Sequence, residues 1–212
     1  MDDVTLGVGT LAGRGVYAAR DFSSGDVVVT YQLQPLNEVD YLGLPAGEDL
    51  FVHSFGGRRY LYPAPARFVN HSDDPSCFQD FDRCCNIALR PIAKGEPITI
   101  DSNHETAREL DTFLDAYHRA LDGRSVRLLG ALVDTEACLW VPGQASRGRD
   151  AVVAALLNSD QAALSSVEWL VGTGRWEAIC SAGTETAEGL RHLTMLVKIV
   201  AGNWQMVYQH TG

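Results

Sequence analysis

The hydrophobic pattern of the chain changes once, near Ser102, and this change limits the folds that the sequence can adopt. Before it, short apolar runs rich in β-branched residues are separated by Gly, Pro and Asp, and little has helical spacing. These runs predict strands at residues 27–31, 59–62, 85–89 and 97–100. The first half is therefore predicted to be mostly β.

After the change, the sequence predicts a long amphipathic helix. Residues 102–105, Ser-Asn-His-Glu, have the pattern of a capping box. The apolar residues that follow at helical spacing are Leu110, Phe113, Leu114, Tyr117 and Leu121. Gly123 then supplies a stop signal, so we expect a helix of about 17 residues.

The remainder of the second half predicts one more helix and a run of strands. The helix covers residues 149–157, and alternating apolar residues then indicate strands at 166–171, 175–181, 191–200 and 204–210. Ala-Gly-Asn joins the last two as a hairpin. The fold class expected is a mostly-β domain over residues 1–103, followed by an α+β cone over 104–212, in which helices pack in a curved antiparallel sheet.

Composition excludes several classes of function. Seventeen basic against 27 acidic residues give a net charge of −10, which disfavours nucleic acid as a partner. No apolar run reaches the roughly 18 residues of a membrane span, and the acidic start does not resemble a secretory signal, so no membrane association and a cytoplasmic location are expected. The five cysteines form no CxxC pair, so neither a disulfide framework nor a metal site is predicted.

Three sequence blocks in the first half carry a resemblance to a known family. They are 13–18 (GRGVYA), 67–72 (RFVNHS) with Pro75, and 88–101 (ALRPIAKGEPITID). Their order and separation are similar to those of SET-domain lysine methyltransferases, and the resemblance covers residues 6–101. It implies that S-adenosyl-L-methionine is the methyl donor.

The resemblance also assigns cofactor-binding residues. Gly13 and Gly15 lack a Cβ, which permits close approach of the backbone to a ligand. In the family this turn, here with Arg14 and Tyr17, packs on the methyl donor. The family's Asn-His pair, which also contacts it, corresponds to residues 70–71, so Asn70 and His71 are the further candidates.

One departure from the family concerns the catalytic tyrosine. SET enzymes generally use the tyrosine that follows the aspartate of the third block, whereas here Asp101 is followed by Ser102. A phenol would have to come from elsewhere, and Tyr31, Tyr60 and Tyr62 are available. We list Tyr31, Tyr62 and Asp101 as catalytic candidates. The family's zinc-binding cysteine cluster is also missing, although Cys77 lies just after the second block.

The second half, from about residue 105 to 212, resembles the nuclear transport factor 2-like superfamily, which includes ketosteroid isomerases and polyketide cyclases. The resemblance lies in the opening helix, residues 132–150 and the two closing strands. It implies an apolar pocket, for which the candidate lining residues are Tyr117, Asp134, Trp140, His192 and His210. Such domains also dimerise through the sheet, so a homodimer is a further expectation.

Three functions remain open at this stage. The first is a SET-type methyltransferase that acts on a lysine or another amine, presented by a peptide or a small molecule, with the cone completing the acceptor site or mediating dimerisation. The second is a degenerate SET module that acts in binding or assembly. The third is an isomerase or cyclase activity in the cone.

Overall fold

The computed structural model describes residues 3–9, 13–159, 164–186 and 189–212. The chain forms two compact units. The first unit is Met1–His53 with Arg59–Arg108, and the second is Ser54–Arg58 with Glu109–Gly212. The division therefore falls inside the long helix, a few residues after the boundary that the sequence suggests. Residues 54–58 group with the second unit.

The first unit is built from short strands, because Gly, Pro and Asp interrupt its apolar runs every few residues. Its elements are β1 (Val4–Val8), β2 (Arg14–Ala18), β3 (Val27–Thr30), β4 (Gln34–Leu36), α1 (Glu38–Leu42), β5 (Val52–Phe55), β6 (Arg58–Leu61), β7 (Asn70–His71), β8 (Cys77–Asp80), β9 (Cys85–Ala88) and β10 (Pro97–Ile100). The four strands predicted in this half are found within one residue of the expected bounds.

These strands form small sheets with the orders β1-β2-β10-β7, β3-β9-β8 and β4-β6-β5. In the first sheet β10 is antiparallel to β2 and parallel to β7, so the segments of the three sequence blocks lie side by side. Val16 and Ile98, which are register partners of β2 and β10, are both buried. The strand order therefore brings the three sequence blocks next to one another in space, although they are far apart in the sequence.

The second unit is α+β, as predicted. Its elements are α2 (Ser102–Asp122, which begins in the first unit), α3 (Val126–Leu132), β11 (Val133–Val141), β12 (Gln144–Arg147), α4 (Arg149–Asn158), β13 (Leu164–Val171), β14 (Glu177–Thr186), β15 (Gly189–Val200) and β16 (Asn203–Thr211). The two predicted helices and four predicted strands are all present. The sequence reasoning did not predict α3 or the hairpin of β11 and β12, which precedes α4.

Six strands of the second unit form one sheet in the order β12-β11-β16-β15-β14-β13. All neighbours are antiparallel except β11 and β16, which run parallel because β16 returns to the middle of the sheet. The apolar face of α2 and the inner face of the sheet share one core, in which Phe113, Tyr117, Trp204 and Met206 are almost fully buried. Of the helices in the described ranges, none combines the length and apolarity needed to cross a membrane.

A buried carboxylate fixes the hairpin tip of residues 54–58 within the second unit. Glu109, on α2, accepts hydrogen bonds from the Trp204 indole N–H at 2.8 Å and the Ser54 backbone N–H at 3.2 Å. At the tip, Gly57 has a φ of +75°, and a Cβ built there would lie 2.6 Å from Leu132 Cδ2. Glycine is therefore required at this position by both conformation and space.

Candidate functional site

The sheet of the first unit brings the predicted cofactor residues of β2 and β7 together. The Asn70 side-chain N–H₂ lies 3.4 Å from the Arg14 carbonyl oxygen, to which it donates. A Cβ added to Gly15 would lie 3.0 Å from Asn70 Nδ2 and 3.1 Å from Gly9 Cα. Gly15 is thus needed for the close approach of Asn70. Gly13 has a φ of +61° and would place its Cβ in open space.

Tyr17 and His71 support this sheet through their own hydrogen bonds. The Tyr17 hydroxyl donates to the Val8 carbonyl oxygen, and its ring lies against Gly7 and Gly15. His71 Nδ1 accepts from the Ser102 backbone N–H at 3.2 Å, which leaves Nε2 to carry the proton toward Asp73. His71 therefore fixes the start of α2.

A cavity of about 200 Å³ lies within the first unit. Polar side chains that line it include Tyr31, Tyr62, Gln79, Asn86, Ser102 and Glu105. Two of the three predicted catalytic residues, Tyr31 and Tyr62, therefore share this cavity with Ser102. Tyr60 is outside the lining set.

Gln79 contacts Tyr31, Tyr62 and Glu105, and we call these four residues the floor of the cavity. Its side-chain N–H₂ lies 3.0 Å from the Tyr62 hydroxyl, 3.3 Å from the Tyr31 hydroxyl and 3.3 Å from Glu105 Oε1. An amide N–H₂ has two hydrogens, so it cannot fully satisfy three acceptors at once. The remaining oxygen can accept from one of the two phenol O–H groups, since Tyr31 and Tyr62 are donors as well as acceptors.

The two phenols of the floor keep their protons at neutral pH. Burial raises the pKa of Tyr31 to about 12, against the opposing effect of the Gln79 hydrogen bond. Burial also raises the pKa of Tyr62, and the Glu105 carboxylate adds to this increase. The phenols therefore act as neutral hydrogen-bonding groups rather than as phenolates.

His53 completes the polar side of the cavity. Its Nδ1 lies 3.6 Å from Glu105 Oε2, and its ring packs edge-on against Tyr62 with centroids 4.9 Å apart. Glu105 is buried, with 8% of its surface exposed. A carboxylate this deep needs polar neighbours, which Gln79 and His53 provide.

Three residues that line this cavity each have one buried polar atom without a hydrogen-bond partner. The atoms are the amide oxygens of Gln79 and Asn86 and the Nε of Arg67. Within the described part of the first unit, no other buried side-chain nitrogen or oxygen lacks a partner. The unsatisfied polar groups of this unit are therefore concentrated at one place.

Asp101, the third predicted catalytic residue, does not line the cavity. Its Oδ1 accepts from the Asn103 backbone N–H at 2.9 Å, which is the contact of a helix N-cap. The structure thus corrects the predicted capping box. Asp101 caps α2, while Ser102 is the first helical residue and faces the cavity.

The five residues predicted to line a pocket in the second unit do not meet in one cavity. Tyr117 is fully buried on the helix side of the sheet, where its hydroxyl donates to Gln209 Oε1 at 2.6 Å. Trp140 and His210 are register partners one residue beyond the buried pair Leu139 and Gln209. Strand alternation therefore places them on the opposite, outer face.

The other two residues of that predicted pocket are also engaged elsewhere. His192 is exposed, precedes buried Leu193, and its ring contacts Ser181 Oγ and the Ala182 carbonyl oxygen. Asp134 Oδ1 accepts from the Glu136 backbone N–H at 2.8 Å and so acts as a turn residue. The sequence pattern did not reveal which face of each strand these residues occupy.

The sequence did not point to five polar or charged residues of the cavity, which are His53, Arg67, Gln79, Asn86 and Glu105. Gln79 and Asn86 each occupy inward positions of short strands, where an apolar residue is the usual choice. A polar residue at such a position is the signal that could have identified them. All five cysteines are free, and no cluster suited to a metal ion occurs among the residues that the structure describes.

Comparison with known proteins gives a family match within the first half of the chain. The family model of the SET domain matches residues 13–101. A search of curated proteins gives no significant match.

Solved structures similar to each half were also found. A proposed histone methyltransferase from Plasmodium falciparum has 18% identity and a TM-score of 0.40, over 49% of this chain and 96% of that chain. A protein with a cystatin-like fold from Caulobacter vibrioides has 19% identity and a TM-score of 0.42, over 50% of this chain and 88% of its own. A nuclear transport factor 2-like protein from Pseudomonas putida has 13% identity and a TM-score of 0.43, over 52% and 87% of the two chains.

Proposed function

Because residues 13–101 form a SET domain, we propose that this protein transfers the methyl group of S-adenosylmethionine to an amine held in the cavity of the first unit. The observation that carries the choice of an amine is the pair of unpartnered amide oxygens, of Gln79 and Asn86, close to the Glu105 carboxylate. An amine or ammonium group supplies N–H donors for such acceptors.

The residues of β2 and β7 fit the methyl donor as the resemblance implies. Gly13 offers open backbone in a conformation that favours glycine, next to Arg14 and to the Gly15–Asn70 contact. These residues, with Tyr17 and His71, would hold the cofactor. When bound, S-adenosylmethionine supplies an electrophilic methyl group on a positively charged sulfur.

The cavity residues have separate roles in this proposal. The Gln79 amide oxygen and the Glu105 carboxylate hold the amine by accepting its N–H groups, and this orients the nitrogen before the transfer. The amine reacts in its neutral form after its extra proton has passed to water, and the nitrogen lone pair forms the new N–C bond as the C–S bond of the methyl donor breaks. Tyr31 and Tyr62 provide neutral phenol oxygens near the reacting nitrogen and take the place of the missing tyrosine at position 102. Leu50 and Phe51 contribute apolar surface to the lining.

The first experiment is isothermal titration with S-adenosylmethionine and S-adenosylhomocysteine, followed by detection of S-adenosylhomocysteine formed in the presence of amines. Micromolar binding, about −8 kcal/mol, is expected for the wild type, and Asn70→Ala should abolish it. Tyr62→Phe should lower methyl transfer without loss of cofactor binding. Tyr41→Phe, at a tyrosine of α1 that does not line the cavity, is the matched control. Absence of cofactor binding in the wild type would refute the proposal.

The homodimer through the second unit stays a prediction. The surface in question is a row of register partners on the outer face, formed by Leu170, Ile179, Leu196 and Tyr208. Leu170 is 71% exposed and the row crosses four strands. Sedimentation of the wild type tests the prediction, because a monomer at micromolar concentration would contradict it.

A further inference from the structure

Three residues that line the cavity of the first unit have an unpartnered buried atom, and these atoms need different kinds of partner. The amide oxygens of Gln79 and Asn86 need donors, whereas Nε of Arg67 needs an acceptor. A buried polar atom without a partner destabilises the folded protein. A ligand that supplies both kinds of partner would remove this destabilisation.

The acceptor side of the cavity suits an ammonium group. Gln79 and Asn86 are register partners on β8 and β9, and both are almost fully buried. The Glu105 carboxylate accepts a hydrogen bond from the Gln79 amide and adds a negative charge beside Gln79. Charge and unfilled acceptors therefore favour a cation with several N–H groups.

The donor side suits a carboxylate. The Arg67 guanidinium pairs through Nη1 with Glu48, and it lies over the rings of Phe51 and Phe68 at 5.1 and 5.2 Å from their centroids. These contacts fix the guanidinium and leave Nε buried without an acceptor. A carboxylate is the group that most strongly satisfies a guanidinium N–H.

We infer that the cavity of the first unit binds a small molecule that carries both a primary ammonium group and a carboxylate. The ammonium group contacts Glu105, Gln79 and Asn86, and the carboxylate contacts Arg67. The volume, about 200 Å³, is below the roughly 300–1,000 Å³ of common ligand pockets, so the ligand has the size of an amino acid. That this ligand is the methyl acceptor rests on the proposed function; that it binds does not.

The methionine end of the methyl donor has the same two groups, so it is the other possible source of this chemistry. None of the six residues assigned to the cofactor lines the cavity. The two ligands should therefore bind at different places. An amino acid and S-adenosylhomocysteine should then bind together rather than compete.

The test is calorimetry on the full chain with glycine, 4-aminobutyrate and 6-aminohexanoate, compared with n-butylamine and butyrate. At least one zwitterion should bind about tenfold or more tightly than either singly charged compound. The series also measures the separation of the two charged groups. If n-butylamine binds as tightly as every zwitterion, or none binds at all, the inference is refuted by the wild type alone.

Variants then assign the two ends. Arg67→Met should bind the best zwitterion and n-butylamine equally, and Glu105→Gln should lose about tenfold in affinity for both. Glu136→Gln, an exposed glutamate of the second unit, is the matched control and should bind as the wild type does. A variant that keeps the wild-type preference would refute the role of that residue.

Titration of the zwitterion with and without saturating S-adenosylhomocysteine shows whether the cavity binds a separate amino-acid-sized ligand or the methionine end of the methyl donor. Unchanged affinity supports a separate site, whereas mutual competition would show that the cavity holds the cofactor's methionine end and would refute the inference. Failure of the proposed function is distinct from both results. It would appear as absent S-adenosylhomocysteine binding and no methylated product by mass spectrometry, while the zwitterion still binds.

Discussion

Gln79 and Asn86 face each other across β8 and β9 as register partners, and the amide oxygen of each is buried without a hydrogen-bond donor. Side-by-side amides with unsatisfied oxygens are unfavourable in the core of a small domain. Both residues line the cavity of the first unit. In the binding role proposed for this cavity, the pair would hold a ligand at some cost in stability.

Gln79→Leu should lower the free energy of unfolding by about 1–3 kcal/mol. The substitution removes one unsatisfied oxygen, but it also removes the N–H₂ group that donates to Tyr62 and Glu105. Urea denaturation measures the change. Gln34→Leu, at an exposed position of β4, is the control and should have little effect. A variant as stable as the wild type would show that the Gln79 amide does not hold the cavity floor together.

Asp101→Ala should destabilise the protein by about 1 kcal/mol, because α2 loses its cap. Asp101→Asn should be nearly neutral, because the asparagine side-chain oxygen can accept from the Asn103 backbone N–H as well. Thermal unfolding monitored by circular dichroism distinguishes the two variants. If Asp101→Asn abolished methyl transfer at unchanged stability, the carboxylate would have a catalytic role beyond capping.

Gly57→Ala should destabilise the protein more than Gly47→Ala. Both glycines have positive φ, +75° and +86°, so each alanine incurs about 1–2 kcal/mol of backbone strain. At position 57 the new Cβ also meets buried Leu132, whereas at position 47 no heavy atom lies within 4 Å. Overpacking adds about 1–3 kcal/mol to the first variant alone. Equal melting temperatures for the two variants would contradict this assignment.

His118 should make stability depend on pH below neutrality. Its burial lowers the pKa below the ordinary value of 6.5, against the opposing charges of Asp122 and Asp115. As the pH falls below 6.5, the unfolded chain takes up a proton before the folded protein does, so the free energy of unfolding decreases. Above pH 6.5 this contribution is constant.

The measurement for His118 is urea denaturation at several pH values between 8 and 5, for the wild type and His118→Gln. The variant should show a smaller decrease over the acidic part of this range, because glutamine does not titrate. An identical pH dependence in the two proteins would show that other groups control acid stability.

The sequence by itself determined the two fold classes and most of the elements. Before Ser102 the apolar residues occur in short runs, and after it they recur at helical spacing. This signal is local, so it can be recognised without the tertiary structure. The sequence also determined the SET resemblance, which the family model confirms over residues 13–101. The sequence did not predict α3 or the β11–β12 hairpin. For α3 the reason is that a helix of seven residues that contains Gly130 has little periodicity.

The tertiary structure alone decided which residues share the cavity. Tyr31, Tyr62, Gln79, Asn86 and Glu105 come from five separate segments, and their convergence depends on strand pairing and on where α2 begins. It also decided the faces, because a residue's side of a strand depends on register. For that reason Tyr117 is buried in the core while Trp140 is exposed on the outer face, although the sequence presented both as pocket residues.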